Sequence, residues 1–123
     1  MKICIIGAGS TYTPELIEGV INKRDSLPVT AIDFMDIDER KLNIVGGLCQ
    51  RMIKAAGLPC ETRLILNDYE TALRDSDFVL AQIRVGKLPA RVKDEKIPLK
   101  YNLIGQETCG TVSYTHLTLP TIA

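Results

Sequence analysis

The chain has 123 residues, enough for one domain with a buried core, or for part of one. Its fifteen acidic and fifteen basic side chains cancel, so we expect neither nucleic acid nor a membrane as a partner. Its four cysteines have no metal-ligand spacing, and its apolar runs are too short to span a bilayer, so we expect a reduced, cytoplasmic protein.

The first predicted strand covers residues 2–6 and leads into a glycine turn, without the features of a signal peptide. Gly7 and Gly9 lie in this turn, and a helix starts directly after it. Glycine lets a pyrophosphate approach the backbone, and the helix N-terminus offers it free N–H groups. The order therefore predicts a dinucleotide-binding site. Tyr12 replaces the usual third glycine, which leaves an ordinary strand–turn–helix as the alternative.

Strands and helices then alternate along the chain. Thr13 is the predicted N-cap of a helix at residues 13–24, with Pro14 in its first turn. Further strands are predicted at residues 29–35, 60–66 and 78–83, and further helices at 38–56, 69–74 and 90–96. The apolar run at 78–83 is typical of a strand buried on both faces. The pattern predicts an α/β fold: a Rossmann-like, doubly wound, mainly parallel sheet, here truncated.

Asp36 follows the second predicted strand, where nucleotide-binding folds place the acid that accepts hydrogen bonds from the adenosine ribose. A carboxylate there repels a 2′-phosphate, so the sequence favours NAD over NADP, although nearby Arg40 would help NADP to bind. The alternative is that Asp36 only starts a turn or caps the next helix, a role that Asp38 could also fill.

Three segments are more specific than the glycine turn. They are G-A-G-S-T-Y-T-P-E-L from residue 7, Q-I-R-V-G-K at 82–87, and R-V-K-D-E-K-I-P-L-K-Y-N-L-I-G-Q-E-T-C-G at 91–110. Together they resemble glycoside hydrolase family 4 over residues 1–110, and the segment at 12–19 is most similar to its 6-phospho-β-glucosidase branch. The resemblance implies hydrolysis of 6-phospho-β-glucosides with NAD and a divalent metal, usually Mn²⁺, by C3 oxidation, C2 deprotonation and elimination of the aglycone.

The resemblance also implies roles for individual residues. The residues expected to line the NAD pyrophosphate are Gly7, Gly9, Ser10 and Thr11, with Asp36 on the ribose. Arg91 matches an arginine that binds the substrate 6-phosphate, for which a planar guanidinium is suited. Its alternative is a solvated arginine on a helix face. Glu107 matches an acid that raises the basicity of the catalytic tyrosine, and its alternative is a surface carboxylate.

The end of the chain departs from the family pattern. From about Val112 it resembles, in one reading frame, the translation of a transposon-end adapter used in sequencing libraries. We therefore expect an NAD-binding portion at residues 1–110 and an artefactual tail at 111–123. His116 is then not a metal ligand, and Cys109 is only a neighbour of the site. The tyrosine base and the metal ligands would lie outside this chain, so the fragment is expected to be inactive alone.

Two other functions stay open at this point. One is the nucleotide domain of a lactate- or malate-type dehydrogenase, against which the I-G-Q-E-T segment argues. The other is a stand-alone NAD-binding module. For the family reading, the expected substrate is a phosphorylated disaccharide or an aryl 6-phospho-glucoside, and the full-length enzyme is expected to be a homo-oligomer.

Overall fold

The computed structural model describes residues 1–83 and 85–104. The chain divides into a first compact unit, Met1–Ile83, and a second unit whose described residues are 85–104. The predicted boundary at residue 110 lies outside the described residues. None of the described helices is long and apolar enough to cross a membrane.

The first unit alternates strands and helices as the sequence predicts. Its elements are β1 (Lys2–Ile6), α1 (Thr13–Asn22), β2 (Ala31–Asp36), α2 (Glu39–Lys41), a π-helical segment (Leu42–Gly46), α3 (Gly47–Ala55), β3 (Glu61–Leu66), α4 (Tyr69–Leu73) and β4 (Phe78–Ala81). The second unit contains α5 (Lys87–Lys96) and a 3₁₀ turn (Pro98–Tyr101).

The four strands form one parallel sheet in the order β3-β2-β1-β4. Parallel neighbours need crossover connections, and here the helices between the strands supply them. The order reverses at β1, whose neighbours β2 and β4 extend the sheet in opposite directions. This arrangement confirms the predicted Rossmann-like α/β fold.

Both faces of the sheet bury apolar side chains. The larger cluster packs β1 and β2 against α1, the π segment and α3. Its largest fully buried side chains are Ile5, Ile17, Ile32, Phe34 and Cys49. A smaller cluster on the other face contains Cys4, Met35, Ile65 and Ala72. The alternation of strand side chains between the two clusters fixes the register of the parallel pairs.

The start of α1 differs from the prediction, because Tyr12 and not Thr13 is the N-cap. The Tyr12 carbonyl accepts the first intrahelical bond, from the Leu16 N–H at 3.1 Å. The Thr13 N–H is bonded to the Ser10 carbonyl at 3.1 Å, so the chain already turns before Thr13. The Thr13 side chain is buried, and its hydroxyl has no hydrogen-bond partner among the described residues.

The predicted helix at 38–56 is interrupted by the π segment. A π turn is wider than an α turn and is found mostly as a local bulge. It coincides with a close approach to β3, since a Cβ added to Gly46 would lie 2.6 Å from Leu64 Cδ2. Apolar spacing alone did not reveal this change of pitch.

The expectation that β4 is buried on both faces is wrong. Phe78 is 58% exposed and Val79 is 47% exposed. Among the described residues β4 is an edge strand that pairs with β1 alone, so no strand covers its other side. The apolar run identified a strand correctly but could not supply the neighbours that would bury it.

A buried carboxylate links three elements of the first unit. Asp33 on β2 is 1% exposed and is held by Arg63 on β3, whose Nε and Nη2 donate to its oxygens at 2.7 and 2.6 Å. The Lys2 Nζ lies 2.9 Å from Asp33 Oδ2 and also donates to the Arg74 carbonyl. Burial acts to raise the pKa of Asp33, but the hydrogen bonds from Arg63 and Lys2 outweigh it and hold the pKa below its ordinary value.

We predict that Asp33→Asn lowers the free energy of unfolding at pH 7 by about 3 kcal/mol, because it breaks a buried ion pair whose partner Arg63 is half exposed. The folded pKa is depressed, so this contribution is complete above about pH 4–5 and disappears as the pH falls through the folded pKa. Urea unfolding should therefore show that the difference in unfolding free energy between wild type and variant becomes smaller in acid. The control is the exposed Asp25→Asn, and a gap that does not change with pH would contradict the assignment.

Candidate nucleotide-binding site

The candidate site lies at the carboxyl ends of β1, β2 and β4. Gly7 follows β1, Asp36 ends β2, and Gln82 follows β4. In open parallel α/β sheets, ligands bind in the crevice at this end, where the strand order reverses. The topology therefore brings the predicted glycine turn and the predicted acid to the same place.

Gly7 makes the turn possible. Its φ of +82° is a left-handed conformation that side chains disfavour, and an added Cβ would lie 2.5 Å from the Gln82 carbonyl oxygen. The N–H groups of Gly7 and Ala8 both donate to the Met35 carbonyl at 2.9 Å. The turn is thus tied to β2 and pressed against β4, and only glycine fits.

Gly9 is required for a different reason: Asp36 and helix α2 both approach its Cα closely. The Gly9 N–H donates to Asp36 Oδ2 at 2.8 Å. An added Cβ would lie 2.9 Å from that same oxygen and 2.7 Å from the Cβ of Lys41. The second glycine therefore closes the turn onto the acid of β2.

Asp36 and Asp38 have different roles, which the sequence did not distinguish. Asp38 is the N-cap of α2, and its Oδ1 accepts from the Lys41 N–H at 3.1 Å. Asp36 Oδ1 accepts from the Asp38 N–H at 2.9 Å. Asp36 is thus held by one backbone N–H on each oxygen, and each oxygen retains acceptor capacity for a further donor. A half-buried carboxylate fixed in this way fits a ribose hydroxyl.

Ser10, Thr11 and Tyr12 complete the turn before α1. The Ser10 N–H donates to the Gly7 carbonyl at 3.0 Å, and the Ser10 hydroxyl oxygen accepts from the Tyr12 N–H at 3.3 Å. Thr11 is exposed, and Tyr12 is 70% exposed. Because Tyr12 points into solvent, its side chain does not obstruct the turn in the way that a side chain packed against the strand would.

The other predicted site residues belong to the second unit or lie outside the described residues. Arg91 lies on α5 in the second unit, where its Nε donates to Glu95 Oε1 at 2.7 Å. That contact is an i,i+4 ion pair on the helix, and the phosphate role of Arg91 stays a prediction. Glu107, Cys109 and His116 lie outside the described residues.

Neither a metal cluster nor a reactive thiol stands out in the part of the chain that the structure describes. Within it, no group of three or more His, Cys, Asp or Glu side chains could hold a metal ion. Cys4, Cys49 and Cys60 are free thiols. Burial raises the pKa of the Cys49 thiol to about 11, so this group is protonated at neutral pH and is a poor nucleophile.

Sequence reasoning missed two residues that shape the turn. Gln82 supplies the carbonyl against which Gly7 packs, and Lys41 packs against Gly9. Lys41 could have been noticed, because it lies in the first turn of the helix that follows Asp36. Gln82 begins the specific segment at 82–87, but its contact with Gly7 could not be predicted from that segment because the contact depends on the pairing of β1 with β4.

A parallel sheet with a glycine turn after its first strand and an acid at the end of its second defines a nucleotide-binding domain of the Rossmann-like class. A family model described as "Family 4 glycosyl hydrolase" matches residues 2–123. The chain therefore belongs to glycoside hydrolase family 4.

Two curated relatives are similar over most of this chain. A "Probable 6-phospho-beta-glucosidase" of Bacillus subtilis (strain 168) is 56% identical over 112 residues, which are 89% of this chain and 25% of the relative. The 6-phospho-beta-glucosidase of Escherichia coli (strain K12) is 49% identical, with the same two coverages. The chain thus spans about a quarter of the length of these relatives.

Solved structures share the fold. A 6-phospho-beta glucosidase from Thermotoga maritima, with NAD and glucose-6-phosphate, superimposes with a TM-score of 0.77 at 39% identity, covering 99% of this chain and 29% of that one. A 6-phospho-alpha-glucosidase from gut microorganisms, with NAD and Mn²⁺, gives a TM-score of 0.77 at 31% identity, covering 94% of this chain and 26% of that one.

We predict that Gly9→Ala destabilises the protein by about 2–3 kcal/mol, because the new methyl group would overlap the Asp36 carboxylate and the Lys41 stem. The matched control is Gly19→Ala in the exposed middle of α1, where nothing lies within 4 Å of an added Cβ. Gly19→Ala should stabilise by about 0.5–1 kcal/mol through helix propensity. Thermal unfolding of both variants checks this, and equal effects would show that the turn is not closely packed.

Proposed function

We propose that this chain is the nucleotide-binding N-terminal portion of an NAD- and divalent-metal-dependent 6-phospho-β-glucosidase. The observation that carries the proposal is the contact between the Gly9 N–H and the Asp36 carboxylate, in a chain that belongs to family 4. The two curated relatives reported above are described as 6-phospho-beta-glucosidases, which supports the β-branch.

Binding of the cofactor is the part that the described residues would perform. The turn formed by Gly7, Gly9, Ser10 and Thr11 would face the pyrophosphate, and the first turn of α1 adds the partial positive charge of a helix N-terminus. The carboxylate of Asp36 would accept hydrogen bonds from the ribose hydroxyls. Bound NAD would supply a hydride acceptor for oxidation of the substrate.

The substrate side of the proposal rests on two residues taken from the family resemblance. The guanidinium of Arg91 would bind the 6-phosphate of the sugar through paired hydrogen bonds. Glu107 would raise the basicity of a tyrosine supplied from outside this chain, because a nearby carboxylate disfavours the phenolate form. Mn²⁺ would supply Lewis-acid polarisation of the C3 oxygen, with ligands that lie beyond the residues described here.

The whole enzyme would act on phosphorylated disaccharides or aryl 6-phospho-glucosides in the cytoplasm, as a homo-oligomer. This chain alone is expected to be inactive, because it matches only about a quarter of its relatives' length. A dehydrogenase of the lactate or malate type is disfavoured by the match of the family 4 model over residues 2–123. A stand-alone NAD-binding module is the remaining alternative.

Calorimetric titration of the 123-residue chain with NAD tests the site. We expect saturable binding by wild type and binding about tenfold or more weaker in Asp36→Ala, which loses a charged acceptor for the ribose. The control Asp25→Ala removes an exposed carboxylate from the loop after α1 and should bind NAD like wild type. No binding by wild type whose circular dichroism shows a folded protein would refute the proposed site.

A second measurement separates a ribose contact from a merely structural role of Asp36. Asp36→Asn keeps an acceptor oxygen but removes the negative charge that repels a 2′-phosphate. We expect this variant to bind NADP more tightly, so that the preference for NAD falls by about tenfold. If Asp36 only braced the turn, the affinities for NAD and NADP would fall together and their ratio would not change.

A further inference from the structure

Lys41 is linked to the glycine turn by three hydrogen bonds from backbone N–H groups to the carboxylates of Asp36 and Asp38. The Gly9 N–H donates to Asp36 at 2.8 Å, the Asp38 N–H donates to Asp36 at 2.9 Å, and the Lys41 N–H donates to Asp38 at 3.1 Å. A Cβ on Gly9 would lie 2.7 Å from the Lys41 Cβ. The stem of Lys41 therefore starts against the turn. Its backbone is held by the Asp38 carboxylate, and Asp38 is in turn held by the Asp36 carboxylate that binds Gly9.

The charges around the turn disfavour the approach of a phosphate. Residues 7–13 contain no charged side chain, whereas the negatively charged carboxylate of Asp36 lies against the Gly9 N–H. A phosphate approaching the turn would meet that repulsion, which the partial charge at the start of α1 offsets only in part. A cation beside the turn would offset the remainder.

Lys41 is the basic side chain that the described structure packs against Gly9. It is exposed, and no carboxylate of the described residues pairs with its ammonium. Its four-carbon stem gives the ammonium reach over the turn, with three donors that rotate freely. Among the described residues the ammonium therefore has no competing carboxylate that it would have to leave to bind a ligand.

We propose that Lys41 is a cofactor-binding residue whose ammonium contacts phosphate oxygens of the dinucleotide. This inference rests on the proposed function and deepens it, because it adds a cationic contact to a turn that otherwise presents backbone groups. α2 approaches Gly9 at Lys41, and the π segment that follows it approaches Leu64 at Gly46. In this proposal α2 contributes Lys41 to the site, and the helical residues that follow it contribute to the hydrophobic core.

Titration of the 123-residue chain with NAD tests the proposal. Lys41→Gln should weaken binding roughly tenfold at low salt, and the loss should shrink as salt screens the charge. Lys41→Arg should retain most of the affinity, since it keeps the charge, and it provides a second variant if the first fails to fold. The control Lys54→Gln removes an exposed charge near the end of α3 and should bind NAD like wild type.

Parallel titration with NADP identifies the phosphate. Equal weakening of NAD and NADP by Lys41→Gln would assign the contact to the pyrophosphate, and weakening of NADP alone would assign it to the 2′-phosphate. Unchanged affinity for both would overturn the proposal while the nucleotide site itself stands. Absence of binding by folded wild type would overturn the proposed function and this inference together.

Discussion

The contact between the Gly9 N–H and the Asp36 carboxylate is the constraint on which the site depends. It joins the turn after β1 to the end of β2, and Asp36 in turn holds the start of α2 through the Asp38 N–H. Both partners are restricted by it, because Gly9 has no room for a Cβ and both Asp36 oxygens already accept a backbone hydrogen bond. Folding already orders these groups, so a ligand would find a preformed hydrogen-bond acceptor and binding would not carry that entropic cost.

The same contact creates an electrostatic problem for a nucleotide. A carboxylate that suits ribose hydroxyls lies beside the place where phosphates must approach, and its field is unfavourable there. The start of α1 provides a partial positive charge, and in our proposal the ammonium of Lys41 adds a full one. The buried charge of Asp33, in the interior of β2, needs no such ligand contact, since two cations of the protein itself, Lys2 and Arg63, neutralise it.

Several parts of this arrangement were predictable from local sequence. The strand before Gly7, the helix after Pro14 and the acid after the second strand all follow from patterns that act over a few residues. The N-cap was mistaken because Ser10 and Tyr12 bond within the turn, which residue preference at Thr13 does not reveal. The exposure of β4 was also missed, because burial depends on which elements lie beside a strand and not on its own apolar run.

The sequence by itself determined the α/β class, the strand–turn–helix order and the identity of the candidate acid, since hydrophobic periodicity and glycine act locally. Only the tertiary structure decided why each glycine is needed. At Gly7 a side chain would collide with the Gln82 carbonyl that follows β4, and at Gly9 it would collide with Asp36 at the end of β2 and with Lys41 on α2. These contacts join residues that lie 27 or more positions apart, so they arise from the pairing of parallel strands rather than from any local pattern.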